Sequence, residues 1–260
     1  LFIGKIKRTS PKLSIITNVK VREVPFISYS SFEIKESSTL KSPSLLITPD
    51  FGMCEDCDNE LYSEENNRYQ YPFITCTNCG PRYSIIKSLP YDRETTTMDS
   101  FSMCNTCKNR RYYSQTNSCP HCRIELSYFE NGKLKDKFTD LNYIVDQWKK
   151  GKIISIKGIG GYLITCDATN KEAISRLRVL KNRPTKPFAL MYSDLATLDL
   201  DTYLSNKEKS NLQSASAPIV ILNVRKEFKT PLALNEIAPN LDCLGVMLPY
   251  TALYKLLLSL

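Results

Sequence analysis

At 260 residues the chain is long enough for one large domain or two to three small ones. Its 42% hydrophobic content is that of a globular protein, and no run approaches the roughly 18 apolar residues of a membrane span. The net charge of +8 permits anionic partners such as nucleotides or nucleic acid without demanding one, and the single histidine, His121, argues against a Ser-His-Asp or Cys-His hydrolase.

The opening, LFIGKIKRTS, has no initiator Met, no long apolar core and no small-residue cleavage site. Residues 1 to 37 alternate apolar and polar positions, as in Leu13 to Ile16 and Val19 to Val21, and a strand-like run follows at Ser31 to Ile34. Two or three strands cannot close a core alone, so this segment is expected to need partners. A chain that opens within a strand and closes within a helix is expected to be a piece of a longer one. Residues 38 to 49, rich in Ser, Thr and Pro, are expected to form a linker.

Residues 50 to 126 hold eight of the ten cysteines, in four C-x-x-C pairs. Disulfide scaffolds scatter their cysteines, whereas metal sites pair them. Each C-x-x-C supplies half a tetrahedron on one tight turn, and zinc takes four thiolates at about 2.3 Å. The pairs Cys54/Cys57 with Cys76/Cys79 form C-x2-C-x18-C-x2-C, and Cys104/Cys107 with Cys119/Cys122 form C-x2-C-x11-C-x2-C. Two structural zinc ions are therefore expected, each closed by four sulfurs with no position left for a reacting water. His121, inside the last pair, reads as an exposed turn residue. The stretch has little hydrophobic periodicity, so the metal is expected to supply its folding free energy. Metal-bound thiols point to the cytoplasm. Cys166 and Cys243 lie in apolar runs and are expected to be buried small hydrophobes.

From residue 138 the pattern is α/β. Thr139 precedes Leu141, Ile144, Val145 and Trp148, one face of a helix that Gly151 stops. Lys152 to Lys157 and Tyr162 to Cys166 read as strands flanking the turn Gly158 to Gly161. Thr169 and Glu172 suggest a capping box for a helix ended by Pro184. Phe188 to Tyr192 and Pro218 to Val224 read as strands, and Tyr250 to Leu260 as a helix.

The stretch YPFITCTNCGPRYSIIKSLPYDRETTTMDSFSMCNTC (Tyr71 to Cys107) resembles the zinc-finger region of the HypF family, the carbamoyltransferases of hydrogenase maturation. KGIGGYLITCDATN, KNRPTKPFALM, SASAPIVIL and LGVMLPYTALYKLLL, between Lys157 and Leu258, are similar to its YrdC-like domain. The fold class so implied is α+β multidomain: the end of an acylphosphatase-like domain (1–37), a linker (38–49), tandem zinc fingers (50–126) and the first part of a YrdC-like α/β domain (138–260).

The resemblance implies that carbamoyl phosphate is activated with ATP, as its Mg2+ complex, to carbamoyl-adenylate. The carbamoyl group then passes to the C-terminal cysteine of the partner HypE and becomes the cyanide ligand of a nickel–iron centre. It places nucleotide and carbamate at Lys157, Gly160, Gly161, Asp167, Lys181, Arg183 and Lys186, Lys181-x-Arg183 matching the family's K-x-R motif. It assigns no catalytic residue here. The family's phosphate loop would precede residue 1 and its Ser-Gly-Asn element would follow Leu260, so the chain alone is expected to perform none of the reaction. Leu163 and Tyr113 stand where the family has histidines. Two other readings are compatible with the residues. A zinc-ribbon RNA-binding protein would use Tyr69, Tyr71, Phe73, Tyr83, Tyr112 and Tyr113 as stacking aromatics. A free threonylcarbamoyl-adenylate synthase would lack the fingers.

Overall fold

The structure is a computed structural model that describes residues 2–10, 13–33, 46–107, 111, 113–122, 124–138, 140–227 and 229–260. It divides into two units, Leu1–Leu46 and Ile47–Leu260. In the first unit α1 (Phe2–Arg8) is followed, in the described residues 13–33, by backbone without helix or strand. The strand expectation fails among these described residues: the start is helical, and residues 13–33 form no ladder. Alternation at Leu13–Ile16 and Val19–Val21 fixes which side chains share a face, but a strand exists only when another chain segment takes its hydrogen bonds. Phe26 and Phe32 are correspondingly more than 90% exposed. Ile34 and most of the expected linker lie outside the described residues.

The second unit begins with α2 (Glu55–Leu61) and runs through three short 3-10 turns and many tight turns to residue 122. A hairpin follows, β1 (Leu126–Glu130) and β2 (Lys133–Phe138), joined by Asn131-Gly132 with both φ values positive, at 51° and 75°. Asn-Gly is the favoured two-residue hairpin turn because neither residue resists φ > 0.

Helix α3 (Asn142–Lys149) buries Ile144 and Val145, and Gly151 ends it at φ +72° as expected. Strands β3 (Ile154–Lys157) and β4 (Tyr162–Thr165) pair antiparallel around the glycine turn. Helix α4 (Lys171–Leu180) is capped by Asn170, whose side chain accepts from the Ala173 amide; Thr169 instead bonds to Asp167 through its amide and hydroxyl. The expected Thr169/Glu172 box is thus replaced by a single side-chain cap one residue later. Nor does Pro184 end the helix: it stops at Leu180, and Asn182 reverses the chain at φ +46°.

Strand β5 (Ala189–Met191), α5 (Leu195–Asp201), α6 (Asn206–Leu212), β6 (Val220–Asn223), α7 (Leu234–Ile237), β7 (Cys243–Met247) and α8 (Ala252–Ser259) complete the unit. Strand β7 lies centrally, parallel to β5 and antiparallel to β6. Ile174, Leu198, Leu222, Ile237, Leu244 and Val246 form the main core against this sheet. Cys166 and Cys243 are half-buried rather than fully enclosed.

The last helix explains how the cysteine region attaches. Leu253 and Leu257 pack with Ile144 and Val145 of α3, while Ala252 and Leu256 join Leu61, Tyr71, Ile74 and the first cysteines in another cluster. A helix buried on two sides must be apolar nearly all round, as ALYKLLLS is. Scarce periodicity in the cysteine region therefore does not mean that no core exists there: it has a small one, lined by ligand cysteines and completed by α8.

Candidate metal centres and nucleotide-site residues

Cys54 caps α2 and Cys57 lies within its first turn, so one helical turn presents both sulfurs. Cys76 and Cys79 occupy a tight turn that Gly80 closes at φ +88°; a Cβ there would lie 2.6 Å from the Thr75 methyl carbon. The Sγ atoms of Cys54 and Cys76 are 3.5 Å apart, and those of Cys76 and Cys79 are 3.8 Å apart. In the second cluster Cys104–Cys119, Cys107–Cys122 and Cys119–Cys122 are separated by 3.5, 3.4 and 3.7 Å. A tetrahedron with metal–sulfur bonds of about 2.3 Å has edges of roughly 3.8 Å. Both clusters fit that size, with all four sulfurs of each within 4.8 Å of one another. His121 is exposed and belongs to neither group.

The protonation balance points the same way. Hydrogen bonding with Cys57 brings the Cys54 thiol down to about 7. Contact with Cys54 pulls Cys76 down and pushes Cys57 and Cys79 up. Four thiols this close cannot all ionise on their own; a bound dication resolves the conflict by making every ligand a thiolate.

The residues expected at the nucleotide site fall into separate places. Lys157, Gly160 and Gly161 line a cavity of about 470 Å³, together with Ser84, Thr97 and Thr116 of the finger region and Tyr250 before α8. Gly158 accepts a close approach there: a Cβ would sit 2.7 Å from the buried Tyr254 hydroxyl. Gly160 has φ +75°, and a Cβ would lie 2.9 Å from Ser84 Oγ.

Lys181, Arg183 and Lys186 sit together beyond the C-terminal end of α4, and none of them lines the cavity. Arg183 is turned onto its own loop. It donates to the Lys186 carbonyl at 3.1 Å and the Pro187 carbonyl at 2.6 Å, with its guanidinium 5.3 Å from the Phe188 ring centre. Asp167 precedes the other end of α4, where Oδ1 accepts from Thr169 N and Oγ1 at 2.8 Å each. Ten helical residues, roughly 15 Å, lie between Asp167 and Lys181.

Leu163 packs half-buried beside α3 and α8, and Tyr113 is 64% exposed. Of the aromatics offered for base stacking, Tyr71 is buried and Phe73 packs against the same cluster, while Tyr112 lies outside the described residues. The sequence reading missed Arg68 and Arg111, which are 1% and 2% exposed beside the cysteines. Nothing in an isolated arginine distinguishes a buried cation from a solvated one.

Residues 53–86 match the family model of the HypF finger, and residues 146–260 match the telomere-recombination model of Sua5- and YrdC-like proteins. The carbamoyltransferase HypF of Synechocystis is 41% identical over 99% of this chain and 34% of its own length. The family is decided by that identity, carried from end to end. The chain belongs to the HypF carbamoyltransferase family. The probable HypF carbamoyltransferase of Methanocaldococcus jannaschii is 36% identical over 98% of the chain and 34% of its own length. A crystal structure of T. kodakarensis HypF superposes with TM-score 0.88 at 38% identity, covering 100% of this chain and 33% of that one. A full-length HypF described as phosphate- and nucleotide-bound superposes with TM-score 0.86 at 39% identity, over 99% of this chain and 34% of that one. The chain thus spans about a third of the length of these HypF relatives. Among the described residues no helix is long and apolar enough to cross a membrane.

Proposed function

We propose that this chain forms the finger region and part of the YrdC-like domain of a cytoplasmic carbamoyltransferase of hydrogenase maturation. The observation that carries the reading is the 39% identity, over 99% of the chain, to a HypF described as phosphate- and nucleotide-bound. In this reading carbamate, released from carbamoyl phosphate, attacks the α-phosphorus of ATP. An oxygen–phosphorus bond forms, pyrophosphate leaves, and carbamoyl-adenylate results. The thiolate of the HypE C-terminal cysteine then takes the carbamoyl group and AMP departs.

The chain's own residues would bind and orient. Lys181 and Lys186 offer point charges and Arg183 a planar fork to phosphate oxygens, supplementing the magnesium ion that ATP carries. For Arg183 to do so its bonds to the Lys186 and Pro187 carbonyls must be exchanged for phosphate contacts. Lys157 faces the cavity edge beside Gly160 and Gly161, where the absence of side chains lets backbone amides approach an anion. Asp167 orders the entry to α4. Zinc at the two cysteine centres would be structural, since four sulfurs complete its shell.

Calorimetric titration of the chain with ATP and Mg2+ tests the nucleotide assignment. Saturable binding is expected, weakened about tenfold by Lys181→Ala, the scale of one charge-assisted phosphate contact. No detectable ATP binding, or equal binding by the variant, would remove these residues from the nucleotide site.

A further inference from the structure

The two cysteine centres do not stand apart. Arg68 belongs to the loop between Cys57 and Cys76, yet its Nη2 donates to Cys107 Sγ of the other centre at 3.6 Å. The same guanidinium donates to Asn117 Oδ1 at 3.0 Å and, through Nε, to the Ser118 carbonyl at 2.9 Å, beside ligand Cys119. Arg111 does the reverse. It belongs to the loop between Cys107 and Cys119, and its Nη2 donates to Cys57 Sγ at 3.4 Å, while Nε donates to the carbonyl of Thr75, the neighbour of Cys76, at 2.9 Å. Glu60 on α2 pairs with the same guanidinium. Tyr71 adds a 2.9 Å hydrogen bond to Ser118, and the hydroxyls of Thr75 and Thr116 meet at 2.9 Å.

Burying an arginine is costly unless an anion balances it. A dication held by four thiolates leaves a centre with net charge −2, and the N–H···S bonds place each cation against that charge. Each loop is fixed by its own metal, so one filled centre presents the arginine that the other needs. We propose that the two four-cysteine centres fill as one coupled unit, with Arg68 and Arg111 as reciprocal positioning residues. Coupling of this kind is mutual: whatever the first metal gives the second, the second returns. The inference concerns metal binding only and stands apart from the carbamoyl chemistry.

The test is a titration of the metal-free 260-residue chain with 113Cd2+, following the two cadmium resonances separately. The double variant Cys104→Ser, Cys119→Ser assigns them and isolates the first centre. That variant is expected to bind at the first centre at least tenfold more weakly than wild type. Arg111→Ala should weaken the centre of Cys54, Cys57, Cys76 and Cys79, and Arg68→Ala the centre of Cys104, Cys107, Cys119 and Cys122. The loss expected for a ligand-orienting hydrogen bond is roughly 10- to 100-fold. The larger loss thus appears at the centre across from the mutated loop, which an arginine serving only its own loop would not produce. Arg68→Lys and Arg111→Lys keep the charge without the fork and should show smaller losses with the same crossed pattern; they are read in place of the alanine variants should those not fold. First-centre affinity unchanged in the double serine variant would overturn the proposal, as would losses as large or larger at the arginine's own centre.

Discussion

Serine at both Cys57 and Cys79 is expected to unfold the first finger and to strip protection from α8, some 170 residues away in sequence. Both sulfurs are fully buried. They join α2 to the turn at Gly80, which is tied back by the Phe51–Gly80 bridge. Around them lies a cluster with only a few large apolar side chains, Leu61, Tyr71, Ile74 and Leu256. Each such side chain contributes about 1.5–3 kcal/mol when buried, and together they cannot order a segment with so little regular structure. A four-cysteine zinc site supplies about 10–16 kcal/mol. Without it the contacts that seat α8 go too: Ala252 and Leu256 in the cluster, Asp58–Lys255 at 2.5 Å, and the Met53 amide on the Tyr250 carbonyl at 3.0 Å. Amide hydrogen exchange on the variant, and on wild type with a zinc chelator, measures this. Loss of protection in residues 53–86 and 252–259 is expected; wild-type protection in both would show that the sulfurs hold nothing.

Asp201→Ala carries the second large effect, in a different part of the unit. Asp201 ends α5 fully buried, and its carboxylate accepts from four donors. These are Tyr192 Oη at 3.1 Å, Lys229 N and Thr230 N at 3.2 Å each, and Thr230 Oγ1 at 2.6 Å. Burial pushes the Tyr192 hydroxyl well above its ordinary range, so it remains a donor throughout the accessible pH range. Alanine takes the acceptor from buried Tyr192 and from the half-buried Thr230 donors, while exposed Lys229 can turn to water; each donor left away from water costs about 1–3 kcal/mol. A total near 4 kcal/mol is expected, partly relieved where water can enter. Tyr192→Phe removes one donor and leaves the acceptor served by three others, so it should cost about 1 kcal/mol. Urea unfolding of the two variants decides: a loss below 1 kcal/mol for Asp201→Ala would mean the carboxylate is not the hub of these loops.

What the sequence disclosed follows from how local each signal is. The cysteine centres were legible because C-x-x-C places two sulfurs on one turn regardless of what surrounds it. Helix α3 was legible because Leu141, Ile144, Val145 and Trp148 repeat at the helical period and Gly151 supplies the left-handed exit. Two local signals were present and passed over: Asn131-Gly132, which closes the β1–β2 hairpin, and the Ser205/Glu208 capping box that opens α6. The cap of α4 was placed one residue early because Thr169 and Asn170 are both competent acceptors. Only the backbone path shows that Asn170 faces Ala173.

What the sequence left open shares a cause: it depends on contacts distant in sequence. Strand alternation before residue 33 cannot reveal whether a pairing partner exists. The basic set Lys181, Arg183 and Lys186 is contiguous on the chain, yet it lies away from the cavity that Lys157, Gly160 and Gly161 line. Arg68 reaches Cys107 across 39 positions and Arg111 reaches Cys57 across 54, so neither role leaves a local trace.

Whether eight thiolates grip two metal ions is the premise on which both the finger architecture and the coupling of its halves depend. Native mass spectrometry of the purified, reduced chain reads it directly. Two zinc ions per polypeptide are expected, with eight protons displaced and Cys166 and Cys243 still free to alkylate. A polypeptide carrying fewer than two ions, or holding the eight cysteines as disulfides, would contradict it.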